Sequence, residues 1–440
     1  MKKVCTPLAL VAAAALSAQT YDTTFTGASG TDYDWSNSAN WSNGVPTESS
    51  NILIESEGLS KNNLNLGDDV VKVGSVVWNV VGSAAGQKSI SGTLKADSLT
   101  INGGNFFSQF WATSNATLDI TNVAGTGVLT LNSENSLYFK MPLVKADYLN
   151  VNQNATIEDE AGGSFASPKL LVNKVATLNG NGRIVGTGTS ANSELYMSFG
   201  GLAGTGTING ASNANAAKGY IEFTNTAKSR FDGKILLSDS SFWGGGSNKE
   251  IHLVMNGSSV QEFSNTASTI SSVTVNSGEI SMVAQNAGAL YLNGGKLSVF
   301  NDDMAQVGNV LNADSLAWGA GTVKLGIGLT GNDSISLSGA LSKSGSGDLK
   351  LELVFADGVA QMFEDLGEDL NAEYTLISYD SNEGVAAGDV SIIAPSGFKY
   401  TLNFGENALT LNVSAVPEPA TVAAILGALA LGLALYRRRK

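Results

Sequence analysis

The chain has 440 residues, including 51 Gly, 40 Asn and 7 Pro, with 25 basic side chains against 39 acidic ones, a single Cys and a single His. Gly and Asn at these levels argue against a mainly helical protein, because both are poor inside helices and good at turns; no Gly-X-Y period accompanies the glycine, which excludes collagen. The acidic balance argues against a nucleic-acid partner, since phosphate binding needs a basic footprint, and one Cys with one His leaves no thiolate or histidine metal cluster.

In chain order, Lys2 and Lys3 followed by an apolar stretch from Val4 to Leu16 and then small residues read as a secretory signal over 1–18, cleaved between Ala18 and Gln19. Cys5 lies inside that signal, so the mature chain holds no disulfide and no thiolate site. Next comes DYDWSNSANWSNGVP, residues 32 to 46, where Trp35, Asn40, Trp41 and Pro46 form a W-x-x-x-x-N-W element. It resembles the opening segment of exported proteins with autotransporter-associated β-strand repeats, in which this element precedes a Gly-rich β-helical passenger. We read 19–50 as a cap segment that shields the first open strand edge.

From 51 onward one pattern recurs: apolar, any residue, apolar, Asn. It appears as LTIN (99–102), LTLN (129–132), LNVN (149–152), LLVN (170–173), ATLN (176–179), GTIN (206–209), VTVN (273–276) and LYLN (290–293). Alternation with period two predicts half-buried strands, and the closing Asn predicts a turn, because Asn tolerates the left-handed backbone region. Several spacings fall near 20 residues, and Gly-Thr-Gly corners stand at 125–127, 186–188 and 204–206. The expectation is an all-β fold: a right-handed parallel β-solenoid (β-helix) over 51–344, about 16 coils for residues 22–343 at about 4.8 Å each. The competing architecture is a pair of antiparallel β-sandwiches.

Near Gly345 the texture changes, and 345–415 is expected to form a small C-terminal β domain. Within it, Val359, Met362, Phe363 and Leu366 fall at i, i+3, i+4 and i+7, the pattern of an amphipathic helix. YTLISY (374–379), FKYTLNF and ALTLNV read as strands, the last two joined by a hairpin loop at Gly405-Glu406-Asn407.

The last segment, 416–440, has three parts. Pro417-Glu418-Pro419 is followed by 17 uncharged residues from Ala420 to Tyr436 and by Arg437, Arg438, Arg439 and Lys440. As a helix the uncharged run reaches about 25 Å, marginal for a hydrocarbon core of about 30 Å, with the bases retained on the cytoplasmic side. In this order the three parts resemble the PEP-CTERM sorting signal of exported bacterial proteins. The resemblance implies recognition of Pro417, Glu418 and Pro419 by a membrane-bound exosortase-like processing enzyme, with the terminal bases holding a transmembrane helix in place. Two prolines keep such a site extended.

Candidates for chemistry are few. His252 sits in IHLVM, a strand, and reads as structural. Asp302 and Asp303, or Glu364, Asp365, Glu368 and Asp369, supply paired acids of the kind glycoside hydrolysis uses, but acids on loops are usually solvated. Arg183 and Arg230 stand outside any cluster, Ser344 to Asp348 reads as a linker, and Trp243 before three glycines is a candidate exposed aromatic for carbohydrate contact. No cofactor, metal or catalytic residue is expected. The reading is an exported, membrane-held precursor of a surface or matrix protein, structural or adhesive, with extracellular polysaccharide as a contact; the alternative is a β-helix carbohydrate-active enzyme.

Overall fold

The structure is a computed structural model and describes residues 20–30, 33–55, 63–80, 87–103, 107–112, 116–140, 142–159, 169–186, 193–209, 217–236, 249–265, 268–283, 285–299, 307–328, 331–367, 370–416, 427–431 and 437–438. It is all-β, and almost every described strand pair is parallel. One sheet runs unbroken through Thr23–Phe25, Asn51–Glu55, Asn63–Val80, Gln87–Gly103, Val128–Ser133, Tyr148–Val151, Ala176–Leu178, Leu202–Gly204, Ser229–Phe231, Val260–Phe263, Glu279–Met282, Lys296–Ser298, Gly321–Ile327, Leu349–Phe355 and Val390–Ile393. Neighbours in space are parallel and follow one another in sequence at intervals, which leaves no place over this stretch for antiparallel sandwiches.

The period-two pattern explains the packing. Ile52, Val76, Leu99, Leu129, Leu149, Ala176 and Leu202 stand in register, as do Ile54, Trp78, Ile101, Leu131, Val151 and Leu178, and all of them are buried. Each apolar side chain thus lies on its counterpart from the turn before. Burying one such side chain stabilises by about 1.5–3 kcal/mol, so the filling belongs to pairs of turns rather than to any single one.

Turn length is irregular. Along this sheet partners lie between 17 positions apart, as for Ile280 and Leu297, and 41 apart, as for Leu351 and Ile392. The spacing near 20 holds for some turns only, and the fifteen strands reach from 23 to 393, so turns are fewer and longer than the 16 expected for 22–343. Only the strands must match in length; corners absorb insertions at small entropic cost.

The parallel ladder also crosses the expected boundary at 345. Leu349–Phe355 pairs in parallel with Gly321–Ile327 before it and with Val390–Ile393 after it. The change of texture marks a helix inserted at a corner, Val359–Leu366, rather than the end of the stack. Val359 and Phe363 are buried, Met362 packs beside them, and Phe363 meets Phe355 and Phe398 edge-on at 5.3 and 5.6 Å. Leu366, the last position of the stripe, is exposed because the helix stops there at Gly367. Ser344 to Asp348 forms another corner between paired strands, not a linker. Among the described strands, antiparallel pairing comes only at the end, where Ala408–Ala415 lies between Asn371–Ser378 and Phe398–Phe404, the latter joined to it by a hairpin that Gly405 closes.

At the other end, Thr23–Phe25 pairs with Asn51–Glu55 on one side. Its other edge is closed by the segment around Trp41: Thr26 N–H donates to Asn40 O at 2.7 Å, Ser42 N–H to Thr24 O at 2.9 Å, and Thr24 N–H to Ser42 Oγ at 2.9 Å. Trp35 and Trp41 are buried, their rings 4.6 Å apart, and Trp41 donates its indole N–H to Trp35 O at 2.8 Å. Asn40, fully buried, ties the loop by accepting from Ser29 N–H and donating to Asp34 O. Buried tryptophans offer no platform to a sugar.

Among the described residues no helix is long and apolar enough to cross a membrane. Residues 427–431 and 437–438, with Arg437 and Arg438, are helical. Ala18, Gln19, Pro417, Glu418, Pro419, Arg439 and Lys440 lie outside the described residues.

Candidate functional site

The closing Asn of the motif does not turn the chain by a left-handed backbone. Among the described residues only Asn154 combines a side chain with positive φ, 64°. The motif amides instead bond along the stack: Asn102 Nδ2 donates to Asn79 Oδ1 at 2.8 Å, Asn132 to Asn102 at 2.9 Å, Asn152 to Asn132 at 2.6 Å and Asn179 to Asn152 at 2.7 Å. The ladder ends where Asn79 donates to Glu55 Oε1 at 2.8 Å. A carboxylate only accepts, so it obliges Asn79 to present its NH2, and every later amide then takes the same orientation. Bonds aligned in this way polarise one another. A second ladder repeats the rule, from Asn293 to Asn276 at 3.0 Å, to Asn256 at 2.8 Å and to Glu222 Oε1 at 2.7 Å.

The two remaining motif residues differ. Asn173 donates to Asp147 Oδ1 at 2.9 Å, and Asn209 is buried with its Oδ1 unpartnered. Sequence reasoning marked the Asn positions but not their use, since a ladder exists only once the register is known; Glu55 and Glu222 carried no signal.

Asn132→Asp tests the ladder. At neutral pH the new carboxylate faces Asn102 Oδ1 with no proton to donate, so the variant is expected to lose about 1–3 kcal/mol in urea unfolding, while Asn132→Ser loses about 1 kcal/mol or less. Equal losses would mean the amide orientation is unimportant.

Asp147, almost fully buried, organises the corner beside this sheet. Its Oδ2 accepts from Gly127 N–H at 2.9 Å and Asn122 N–H at 3.1 Å, while Oδ1 takes the Asn173 amide. Burial pushes its carboxyl upward, but the Asn173 amide, the Gly127 and Asn122 N–H groups and the Lys174 charge together hold it below the ordinary value.

The outward side of the same sheet is the most distinctive surface of the molecule. Its middle row is Leu53, Val77, Thr100, Thr130, Asn150 and Thr177, each half-buried and in register with the next. One flank holds Asn51, Ser75, Ser98, Val128 and Tyr148; the other is the amide ladder. Glu55 is the one charge on these three rows from 51 to 179, and the ladder engages it.

Elsewhere several outward acids are engaged as structural acceptors. Glu222 takes the phenol of Tyr196 as well as Asn256; burial, followed by the bond and charge of Glu222, pushes the Tyr196 phenol up to about 12. His252 bonds Ser272 Oγ at 2.8 Å and Glu250 at 3.0 Å and stacks on Tyr220 at 5.1 Å, an engaged strand residue. The His252 bond first, then Lys218, holds Glu250 below the ordinary glutamate range. Arg230 pairs with Asp232 at 2.7 Å and Asp365 accepts from Gln361 at 3.0 Å. A groove lined by Glu48, Lys72, Lys95 and Asp97 has its lysines answered by Glu48 at 3.4 Å and Asp119 at 3.8 Å. Asp302, Asp303, Trp243, Glu368 and Asp369 lie outside the described residues, among which no group of three His, Cys, Asp or Glu side chains is placed to hold a metal.

No protein-family model matches this chain, and no curated protein is significantly similar to it.

Proposed function

We propose that the chain is an exported structural or adhesive protein of the cell surface or extracellular matrix, and not an enzyme. In this reading its strands wind as a right-handed β-solenoid, the hand that parallel crossovers take almost without exception. The signal at 1–18 delivers it, a C-terminal transmembrane helix holds the precursor, and an exosortase-like enzyme processes it at Pro417-Glu418-Pro419. The observation that carries the reading is the in-register ladder from Thr23 to Ile393, on whose outer side Asn side chains hold one strand to the next, as Asn256 and Glu222 do outside it. A surface built to repeat is suited to extended contact, and the tail resembles a sorting signal.

Mass spectrometry of the protein taken from the cells that make it is the test. The expected mature ends are Gln19 and a residue between Pro417 and Ala420. A chain still ending at Lys440 would overturn the processing step, one still beginning at Met1 would overturn export, and bond cleavage on incubation of the purified protein with polysaccharides would replace this reading by that of a carbohydrate-active enzyme.

A further inference from the structure

We infer that the outer face running from Ser75 to Thr177 is a docking surface for a neutral polysaccharide lying along the stack. The inference rests on the extracellular reading above and adds the chemical class of the partner.

Charge is unevenly placed along the middle row of this sheet. The chain carries 64 charged side chains of the four common kinds, yet the middle row of this face has none from Leu53 to Ala203. Further along the same row of the same sheet, past the pair Gly204 and Phe231, come Arg230, Glu262, Ser281, Ser298, Lys324 and Glu352, of which Glu262, Ser281, Ser298 and Lys324 are buried. Composition cannot explain a row that is neutral at one end and charged at the other. A polyanion or polycation docking on the neutral end would shed hydration without meeting a counter-charge, whereas a neutral polymer pays no such penalty.

The face is also rich in hydrogen-bonding groups. Thr100, Thr130, Asn150 and Thr177 repeat at the strand spacing of about 4.8 Å, and hydroxyls both donate and accept. In the flanking ladder each interior amide uses one N–H and one lone pair on its neighbours, and an amide has a second of each. That remainder suits a partner rich in hydroxyl groups. Val77, Val128 and Tyr148, the last 37 % exposed, add apolar contact for the C–H faces of sugar rings. Five strands at this spacing make a track of roughly 20 Å, long enough for several sugar units.

The test is affinity electrophoresis of the full chain through gels containing hydroxyethylcellulose or dextran, with polygalacturonate as the acidic comparison. Retardation is expected in at least one neutral gel, not in polygalacturonate, and unchanged by about 0.5 M salt, where ionic contacts are screened. Thr130→Lys and Asn150→Glu, charges of opposite sign, should each weaken retention at least tenfold, while Lys218→Ala on a different sheet should not. If either charged variant loses its β-sheet circular dichroism, Thr130→Val keeps the shape and should weaken retention about threefold. Passage through both neutral gels without retardation, retention only by polygalacturonate, or retention that folded Thr130→Lys and Asn150→Glu share with the wild type overturns the inference. Such a failure in a protein whose mature ends are as expected leaves the export reading intact; unexpected ends with retention intact would do the reverse.

Discussion

Gly204→Ala is expected to destabilise the protein by about 2–5 kcal/mol, far more than the same substitution at Gly30. Both glycines have positive φ, 95° and 74°, and a left-handed backbone costs an Ala about 1–2 kcal/mol. At Gly30 the added methyl meets nothing within 4 Å, whereas at Gly204 it would stand 2.1 Å from Leu178 O, a backbone atom of the previous turn. That oxygen cannot retreat, because it accepts from the N–H groups of Thr205 and Gly206 at 2.8 and 2.9 Å. Overpacking of this kind adds about 1–3 kcal/mol. Urea unfolding of both variants is the measurement; equal losses would show that the turns are not held at van der Waals contact at their corners.

Asp147→Ala should be the most damaging change to a polar side chain, at about 2–4 kcal/mol. Three donors converge on the carboxylate, and the N–H of Gly127 has no water to replace it in a buried corner. The pH dependence has a definite sign. The carboxyl is held below the ordinary aspartate value of 3.8, so its stabilisation is fully present above that value and is lost as pH falls through the lowered one. Asp333 works the other way: burial pushes its carboxyl up despite bonds from Asn309 and Gly326, so acid favours its folded form. Subtracting the acid unfolding curve of Asp147→Asn from that of the wild type isolates the first effect. The difference should shrink as pH falls below the ordinary aspartate value; a constant difference would mean Asp147 is not held low.

Much of the architecture was written in short-range pattern. The inward pairs Leu99 with Ile101 and Leu129 with Leu131 are apolar at period two, and that alone placed strands and their buried side. The helix at 359–366 and the hairpin at Gly405 were legible for similar local reasons. Turn length was not, because corners tolerate insertions that no spacing rule anticipates. The role of Asn was half legible: it recurred at one place relative to the inward pair, which was the true signal, but reading it as a turn former put the αL preference above a contact that only register creates. Asp147, alone in KADYLN, carried no mark at all. The neutral face was invisible for the same cause, since Thr100, Thr130, Asn150 and Thr177 are scattered in sequence and become a row only when the turns are laid on one another.

The closed edge at Trp41 and the carboxylate that starts the first ladder both belong to the amino-terminal end. A chain appearing amino end first would therefore have this template complete before the bulk of it arrives, and the strands up to Asn179 would find their partner strand, their buried counterparts and their amide acceptor already waiting. Some bonds still wait for later chain, as where Gln261 pairs both backbone groups of Leu202, but the first courses are laid like brick on a finished footing.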